Sequence, residues 1–403
     1  MKILLIDDDI FVLKLLQIQF NNLGFTDLVS FGSGHEALSC LNSNISDFDL
    51  LLCDLQMPEM DGIEFMRHLS GINYTGGVIL VSGEEQRILS TAEKLASARD
   101  LNVLGVLNKP VQPQLLAALL EKKQFRNFLN KNAVKIYGPD ELQRAIKNDE
   151  LLNYYQPQVV VSTGELVGVE TLVRWQHPTD GLVFPEQFIA TAEKHGLIDD
   201  LTRVVLSGAL LQMGVWKDEG VDLNVSVNIS MANLSSLEFP ELVEAAMKAS
   251  GHKMDSLILE ITESQLMANP LTVLEILSRL RLKRIGLSID DFGTGHSSLA
   301  QLRDIPFTEL KIDRSFVHGA YRDTSLQAIF EASLIMARQL GIKVVAEGVE
   351  DLEDWKYLQE KECDLAQGYF IAKPMPADKL KEWMLGWKKQ PQQLKYTLVD
   401  SKK

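Results

Sequence analysis

Cysteine is scarce in this chain: three in 403 residues, Cys40, Cys53 and Cys363, an odd number with no C-x-x-C pair. That excludes a disulfide framework and a thiolate zinc site, and it fits buried thiols in a reducing compartment. Long hydrophobic runs are also missing. No apolar stretch reaches the ~18 residues of a membrane span, and the opening MKILLIDDD is too short and too acidic for a signal peptide. A cytoplasmic protein with no membrane partner is expected. Excess positive charge is absent: 40 Lys and Arg against 55 Asp and Glu leave a formal charge of −15. General affinity for nucleic acid or anionic lipid is therefore disfavoured. No helix-turn-helix pattern with a basic face appears, so no DNA-binding output is expected. His177, His252, His296 and His318 follow no metal-ligand spacing and read as surface or loop residues.

What is present is ordinary globular material, 46% apolar and 24% charged, long enough for two domains. The first third alternates short apolar runs (Lys2–Ile6, Leu50–Cys53, Val78–Val81, Val103–Leu107) with amphipathic segments such as Asp9–Asn21. This grammar predicts a parallel sheet covered on both faces, with chemistry at the carboxyl ends of the strands. Asp7, Asp8, Asp54, Ser82 and Lys109 lie at those ends. Three carboxylates there suit one Mg²⁺, and a carboxylate beside it can accept a phosphoryl group. Ser82 and Lys109 offer a hydroxyl and a cation for the phosphate oxygens. The pattern from Gln114 turns helical, with Leu115–Asn132 read as a closing helix running into a linker.

IDDD, CDLQMPEMDG, VSG and NKP resemble the receiver domain of two-component response regulators, over residues 1–122, a doubly wound flavodoxin-like α/β fold. The resemblance implies Asp54 as phosphoacceptor, Asp7 and Asp8 with Asp54 as Mg²⁺ ligands, Ser82 as switch hydroxyl and Lys109 as phosphate-binding lysine. A sensor histidine kinase or phosphotransfer protein is the implied partner. The aromatic switch residue usual in the family is replaced by Val106, which leaves the signal route to an output surface open.

After a helical linker over 123–140, seven apolar runs each end in a polar residue and lead into a helical stretch. They are Leu166–Val169, Val225–Val227, Leu257–Leu259, Gly286–Ile289, Leu310–Ile312, Val344–Ala346 and Leu365–Phe370, and they predict a (β/α) barrel. The strand ends carry Glu170, Asn228, Glu260, Asp290 with Asp291, Lys311, Glu347 and Gln367. So many carboxylates at one barrel mouth repel each other unless cations offset them. Hard oxygen donors suit Mg²⁺ or Mn²⁺ and not zinc. Two such ions can activate water against a phosphodiester, with Lys311 near the attacking water and the forked Arg174 suited to a phosphate oxygen.

ETLVRWQHP, VNIS, LEITES, DDFGTGHSSL, LKIDRSF, VVAEGVE and AQGYFIAKP resemble EAL-domain cyclic di-GMP phosphodiesterases, over residues 141–390, with Thr171 in place of the alanine of the family name. The resemblance implies a TIM-like (β/α)8 barrel followed by a polar tail, 391–403. It implies two metal sites, one from Glu170, Asn228, Glu260 and Asp290 and one from Asp290, Asp291 and Glu347. Glu170, Lys311 and Glu347 are the implied catalytic group, and Arg174, Gln367 and Glu350 line the substrate. Glu263 and the segment Asp291–Leu299, with His296 where tyrosine is usual, resemble a loop coupled to a dimer interface, so a homodimer or larger homo-oligomer is expected. The function expected is hydrolysis of cyclic di-GMP to linear pGpG, modulated by receiver phosphorylation. The competing reading is a silent cyclic di-GMP-binding or scaffold protein, which would have lost metal ligands or the lysine, and none is missing. A cyclase is excluded because no GGDEF-like segment is present.

Overall fold

The computed structural model describes residues 1–44, 47–72, 74–83, 86–99, 101–121, 135–262, 270–293 and 299–387. The chain divides into two compact units, Met1–Val134 and Lys135–Lys403.

The first unit is a five-stranded parallel sheet in the order β2-β1-β3-β4-β5. Its strands are β1 (Lys2–Ile6), β2 (Asp27–Phe31), β3 (Leu50–Asp54), β4 (Gly77–Ser82) and β5 (Asn102–Asn108). The central strands read as unbroken apolar runs because both faces are covered. Leu4, Ile6, Leu51, Cys53, Val78 and Leu80 pack on one side, while Ile3, Leu5, Leu50, Leu52, Ile79 and Val81 pack on the other. Edge strand β2 is absent from the sequence-based expectation: DLVSF is short and only half-buried, so its hydrophobic signal is weak. The first helix (Ile10–Asn22) begins where expected, with the Asp9 carboxylate accepting from the Phe11 N–H at 2.8 Å as its N-cap. The expected closing helix is Pro113–Glu121, and residues 122–134 lie outside the described part.

The second unit is a closed barrel. Its strands are β6 (Leu151–Val160), β7 (Leu166–His177), β9 (Asn224–Asn228), β10 (Leu257–Thr262), β11 (Gly286–Phe292), β12 (Glu309–Ile312), β13 (Lys343–Ala346) and β14 (Leu365–Ala366), with β6 pairing with both β7 and β14. The short strands β8 (Gly181–Val183) and β15 (Met375–Pro376) extend the sheet beside β7 and β6. Seven barrel strands run parallel; β6 is antiparallel to both neighbours. This eighth strand was not among the seven expected runs. It forms a hairpin with β7 instead of a strand–helix unit, and Pro157 within it weakens the strand signal. The last expected run, Leu365–Phe370, is strand only at Leu365–Ala366. Gly368 turns the chain away there, so close to Val349 that a Cβ would lie 2.2 Å from its backbone nitrogen.

Helices close the outside of the barrel. In Ile198–Asp218 the buried residues Ile198, Leu201, Val205, Ala209, Met213 and Trp216 recur at three- and four-residue intervals, giving one apolar stripe. Each such Leu, Val or Met side chain contributes about 1.5–3 kcal/mol on burial. The helix Pro139–Lys147 belongs to this packing: Tyr137, Leu142 and Ala145 are in the barrel core, which thus begins before residue 141. Among the described residues no helix is long and apolar enough to cross a membrane.

Candidate active site

The strands set the side-chain directions at the mouth. With alternation along β7, Glu170, Leu172 and Arg174 share one face, and the ladder places the ends of β9 to β14 around the same opening. The sequence leaves one steric problem: Asp290 and Asp291 are adjacent, so in regular strand they would point to opposite faces. The structure resolves it with a break in the β11–β12 register between Ile289 and Phe292, and with Asp291 at φ +54°. Its N–H donates to Asp290 Oδ1 at 3.0 Å. A bulge of this kind re-aims a side chain, and oxygens of Asp290, Asp291 and Glu347 come within 4.8 Å of one another.

At the centre stands Lys311, 1% exposed. Its Nζ lies 2.7 Å from Glu347 Oε1, 2.9 Å from Glu260 Oε2, 3.2 Å from Asp290 Oδ1 and 3.5 Å from Glu170 Oε2. Asn228 donates to Glu170 Oε1 at 2.9 Å. Gln367 donates to Glu170 Oε2 at 2.5 Å and to Gln156 Oε1 at 3.0 Å, and accepts from Gln158 at 3.0 Å. The two β6 glutamines are site residues the sequence reading missed; the period-two pattern of LLNYYQPQVV was their only signal. A cleft of about 260 Å³ opens over Glu170, Asp290, Lys311, Glu347 and Gln367.

Charge balance is the decisive property of this cluster. Five carboxylates face one ammonium. Burial pushes the Glu260 carboxyl well above the carboxylate range, with Glu170 and Asp290 adding to the rise and Lys311 opposing it. Burial raises Glu347 to about 8 and, with Asp290 beside it, Asp291 to about 6. Glu170 is also buried, but Lys311, Gln367 and Asn228 outweigh that and hold it low. Burial lowers Lys311, yet its four acidic neighbours carry it well above its ordinary value. Glu260 Oε1 is buried with no hydrogen-bond partner among the described residues. Carboxyls pushed up by burial and an orphaned carboxylate oxygen mark a donor set short of positive charge, so the residues fit divalent metal ions with hard oxygen ligands.

Glu350 lies at the edge of the same cleft, paired with Arg314 at 2.5 Å. Its N–H is held by the buried Asp354, which also accepts from the Gly319 N–H and faces His318 Nδ1 at 2.8 Å. His318 is thus engaged in structure, and His177 likewise accepts from the N–H groups of Thr179 and Asp180. Trp175 is fully buried, packed against Tyr137 and Phe188. Glu263 and His296 lie outside the described residues.

The first unit carries the other expected cluster. Lys109 Nζ bridges Asp7 Oδ2 at 2.8 Å and Asp54 Oδ2 at 2.7 Å. Oxygens of Asp7, Asp8 and Asp54 come within 4.8 Å of one another. Asp54 is 1% exposed, and burial raises its carboxyl despite Lys109. Its Oδ1 is buried with no hydrogen-bond partner among the described residues. Ser82 ends β4 beside this cluster, its carbonyl accepting from the Lys109 N–H at 2.8 Å. Val106 is half-buried and packs against the core on one face of the sheet.

Comparison with known proteins assigns a family to each unit. Residues 139–374 match the EAL domain and residues 3–121 the response regulator receiver domain. The chain belongs to the EAL-domain family. It joins that domain to an N-terminal receiver, the layout of a response regulator. It is 33% identical over 362 residues to the cyclic di-GMP phosphodiesterase RocR of Pseudomonas aeruginosa, covering 89% of this chain and 92% of that one. Over 244 residues, 60% of this chain, it is 40% identical to the oxygen sensor protein DosP of Escherichia coli, spanning 30% of that longer protein. Among solved structures, the PaMucR phosphodiesterase in complex with c-di-GMP is 40% identical, with a TM-score of 0.57 over 60% of this chain and 98% of that one.

Proposed function

We propose that the barrel of this response regulator hydrolyses cyclic di-GMP, opening one phosphodiester to give linear pGpG. The observation that carries this is the ring of Glu170, Glu260, Asp290 and Glu347 around buried Lys311, with Asp291 beside it. RocR, similar along nearly its whole length, bears the same activity in its name. Glu170, Asn228, Glu260 and Asp290 would hold one divalent ion, and Asp290, Asp291 and Glu347 the other. Mg²⁺ or Mn²⁺ bound there supplies charge neutralisation at the phosphate and makes water acidic enough to attack at neutral pH.

The chain's own residues do the rest. Lys311, fixed by four carboxylates, orients the attacking water and stabilises negative charge as it grows on the phosphate oxygens. Water adds to phosphorus and the bond to one ribose 3′ oxygen breaks, leaving a 5′ phosphate on the linear product. Gln367, held by Gln156 and Gln158, keeps Glu170 in its ionised, ligating form. Arg174 donates to a non-bridging phosphate oxygen, and Glu350 lines the substrate at the cleft edge.

In the receiver, a sensor kinase or phosphotransfer protein would deliver a phosphoryl group to Asp54, with Mg²⁺ held by Asp7, Asp8 and Asp54. Lys109 and Ser82 would engage the new phosphate and change turnover. The test is hydrolysis of cyclic di-GMP by purified protein with Mg²⁺ or Mn²⁺, beside Glu170→Ala. Linear product from wild type alone is the expected result. Tight binding without product would replace the hydrolase with a binding protein.

A further inference from the structure

Arg174 is a long, flexible side chain, yet it is only 9% exposed at the barrel rim. One of its N–H groups is spent on its own strand, donating to the Val173 carbonyl at 2.8 Å. Two aromatic rings lie close to its guanidinium. The guanidinium carbon lies 5.7 Å from the ring centre of Tyr154 on β6 and 5.2 Å from that of Phe184, just after β8. Both distances fall inside the range in which a ring quadrupole attracts a cation. Tyr154 pairs with Leu172 across the β6–β7 ladder, so its position beside Arg174 is set by strand register.

Phe184 is the unexpected member. It is 46% exposed, a poor place for a phenyl ring if packing were its only role. Its mount is nonetheless fixed: its N–H donates to Gln187 Oε1 at 3.1 Å, and its carbonyl accepts from the Gln187 N–H at 3.0 Å. Gln187 in turn donates to the Lys135 carbonyl, and its own carbonyl accepts from the Tyr137 N–H. An exposed ring on a braced turn, laid against the Arg174 guanidinium, restricts that guanidinium's rotamers before substrate arrives.

We propose that Phe184, with Tyr154, is a positioning residue that holds Arg174 ready for a phosphate oxygen of the substrate. This rests on the cyclic di-GMP reading above. Pre-ordering a rotamer-rich side chain lowers the entropy cost of binding, so the effect falls on affinity and not on the chemical step.

The experiment measures equilibrium binding of cyclic di-GMP, together with KM and kcat, for wild type, Phe184→Leu, Phe184→Trp, Arg174→Ala and the Arg174→Ala/Phe184→Leu pair. Phe184→Leu keeps apolar bulk without the quadrupole and is expected to weaken Kd and KM by roughly 3- to 10-fold, with kcat little changed. Phe184→Trp is expected to retain affinity, and Phe184→Leu to have no further effect once Arg174 is gone. Wild-type affinity in Phe184→Leu, or an equal loss in the Arg174→Ala background, overturns the proposal. Wild type that binds without turnover removes the hydrolase reading while the Kd series still decides the role of Phe184. Wild type that neither binds nor turns over the dinucleotide removes both.

Discussion

Lys311 holds the largest electrostatic stake of any residue here. It is the one cation inside a ring of four carboxylates, and removing one partner of a buried ionic cluster leaves uncompensated charge. Lys311→Met is expected to destabilise the metal-free barrel by about 3–5 kcal/mol, read by denaturant unfolding in chelator, and to lower kcat even with metal restored. A variant as stable as wild type in chelator would contradict this account.

The same cluster fixes the sign of the pH dependence. Glu347 at about 8 and Asp291 at about 6 keep their protons in the metal-free fold where an unfolded chain has released them. The folded state then binds more protons between roughly pH 4 and 8, so this contribution to stability is present at low pH and lost as pH rises through the folded values. The melting temperature in chelator should fall from pH 5 to 8.5. With Mn²⁺ the trend should flatten or reverse, because the metal takes the protons' place. A melting temperature in chelator that climbs over that range would contradict it.

At the scale of elements, two local irregularities place the site. The bulge after Ile289 lets neighbouring aspartates serve one cluster, and the turn at Gly368 seats Gln367 against Glu170. A Cβ at Gly368 would collide with Val349 backbone atoms, which cannot swing aside as a side-chain tip can. Gly368→Ala is expected to cost activity and to destabilise the barrel by about 1–3 kcal/mol, measured by thermal unfolding with metal present. The strand β6 belongs to this scale too. Gln156 and Gln158 support Gln367 only because this strand closes the ring between β7 and β14.

At the scale of the whole molecule, one chain carries two acidic clusters of different design. The first gathers three aspartates around one lysine; the barrel gathers five carboxylates around another. If receiver phosphorylation controls turnover, a small-molecule phosphodonor should change the hydrolysis rate of wild type and leave Asp54→Asn unaffected. Identical rates in treated and untreated wild type would remove that coupling.

The sequence by itself determined the two-domain layout, the sheet and barrel classes and the acids at the strand ends, because apolar runs ending in polar residues are local patterns. Asp7, Asp54, Glu170, Glu260 and Lys311 were legible in that way. Tertiary structure alone decided what depends on distant partners. It decided that β6 closes the barrel antiparallel, that a bulge turns Asp290 and Asp291 together, and that Arg174 lies against Phe184. It also decided that the acids of the ring share a single lysine, and that burial raises Glu260 and Glu347 while Lys311 helps hold Glu170 low. Those are properties of proximity, which the fold creates.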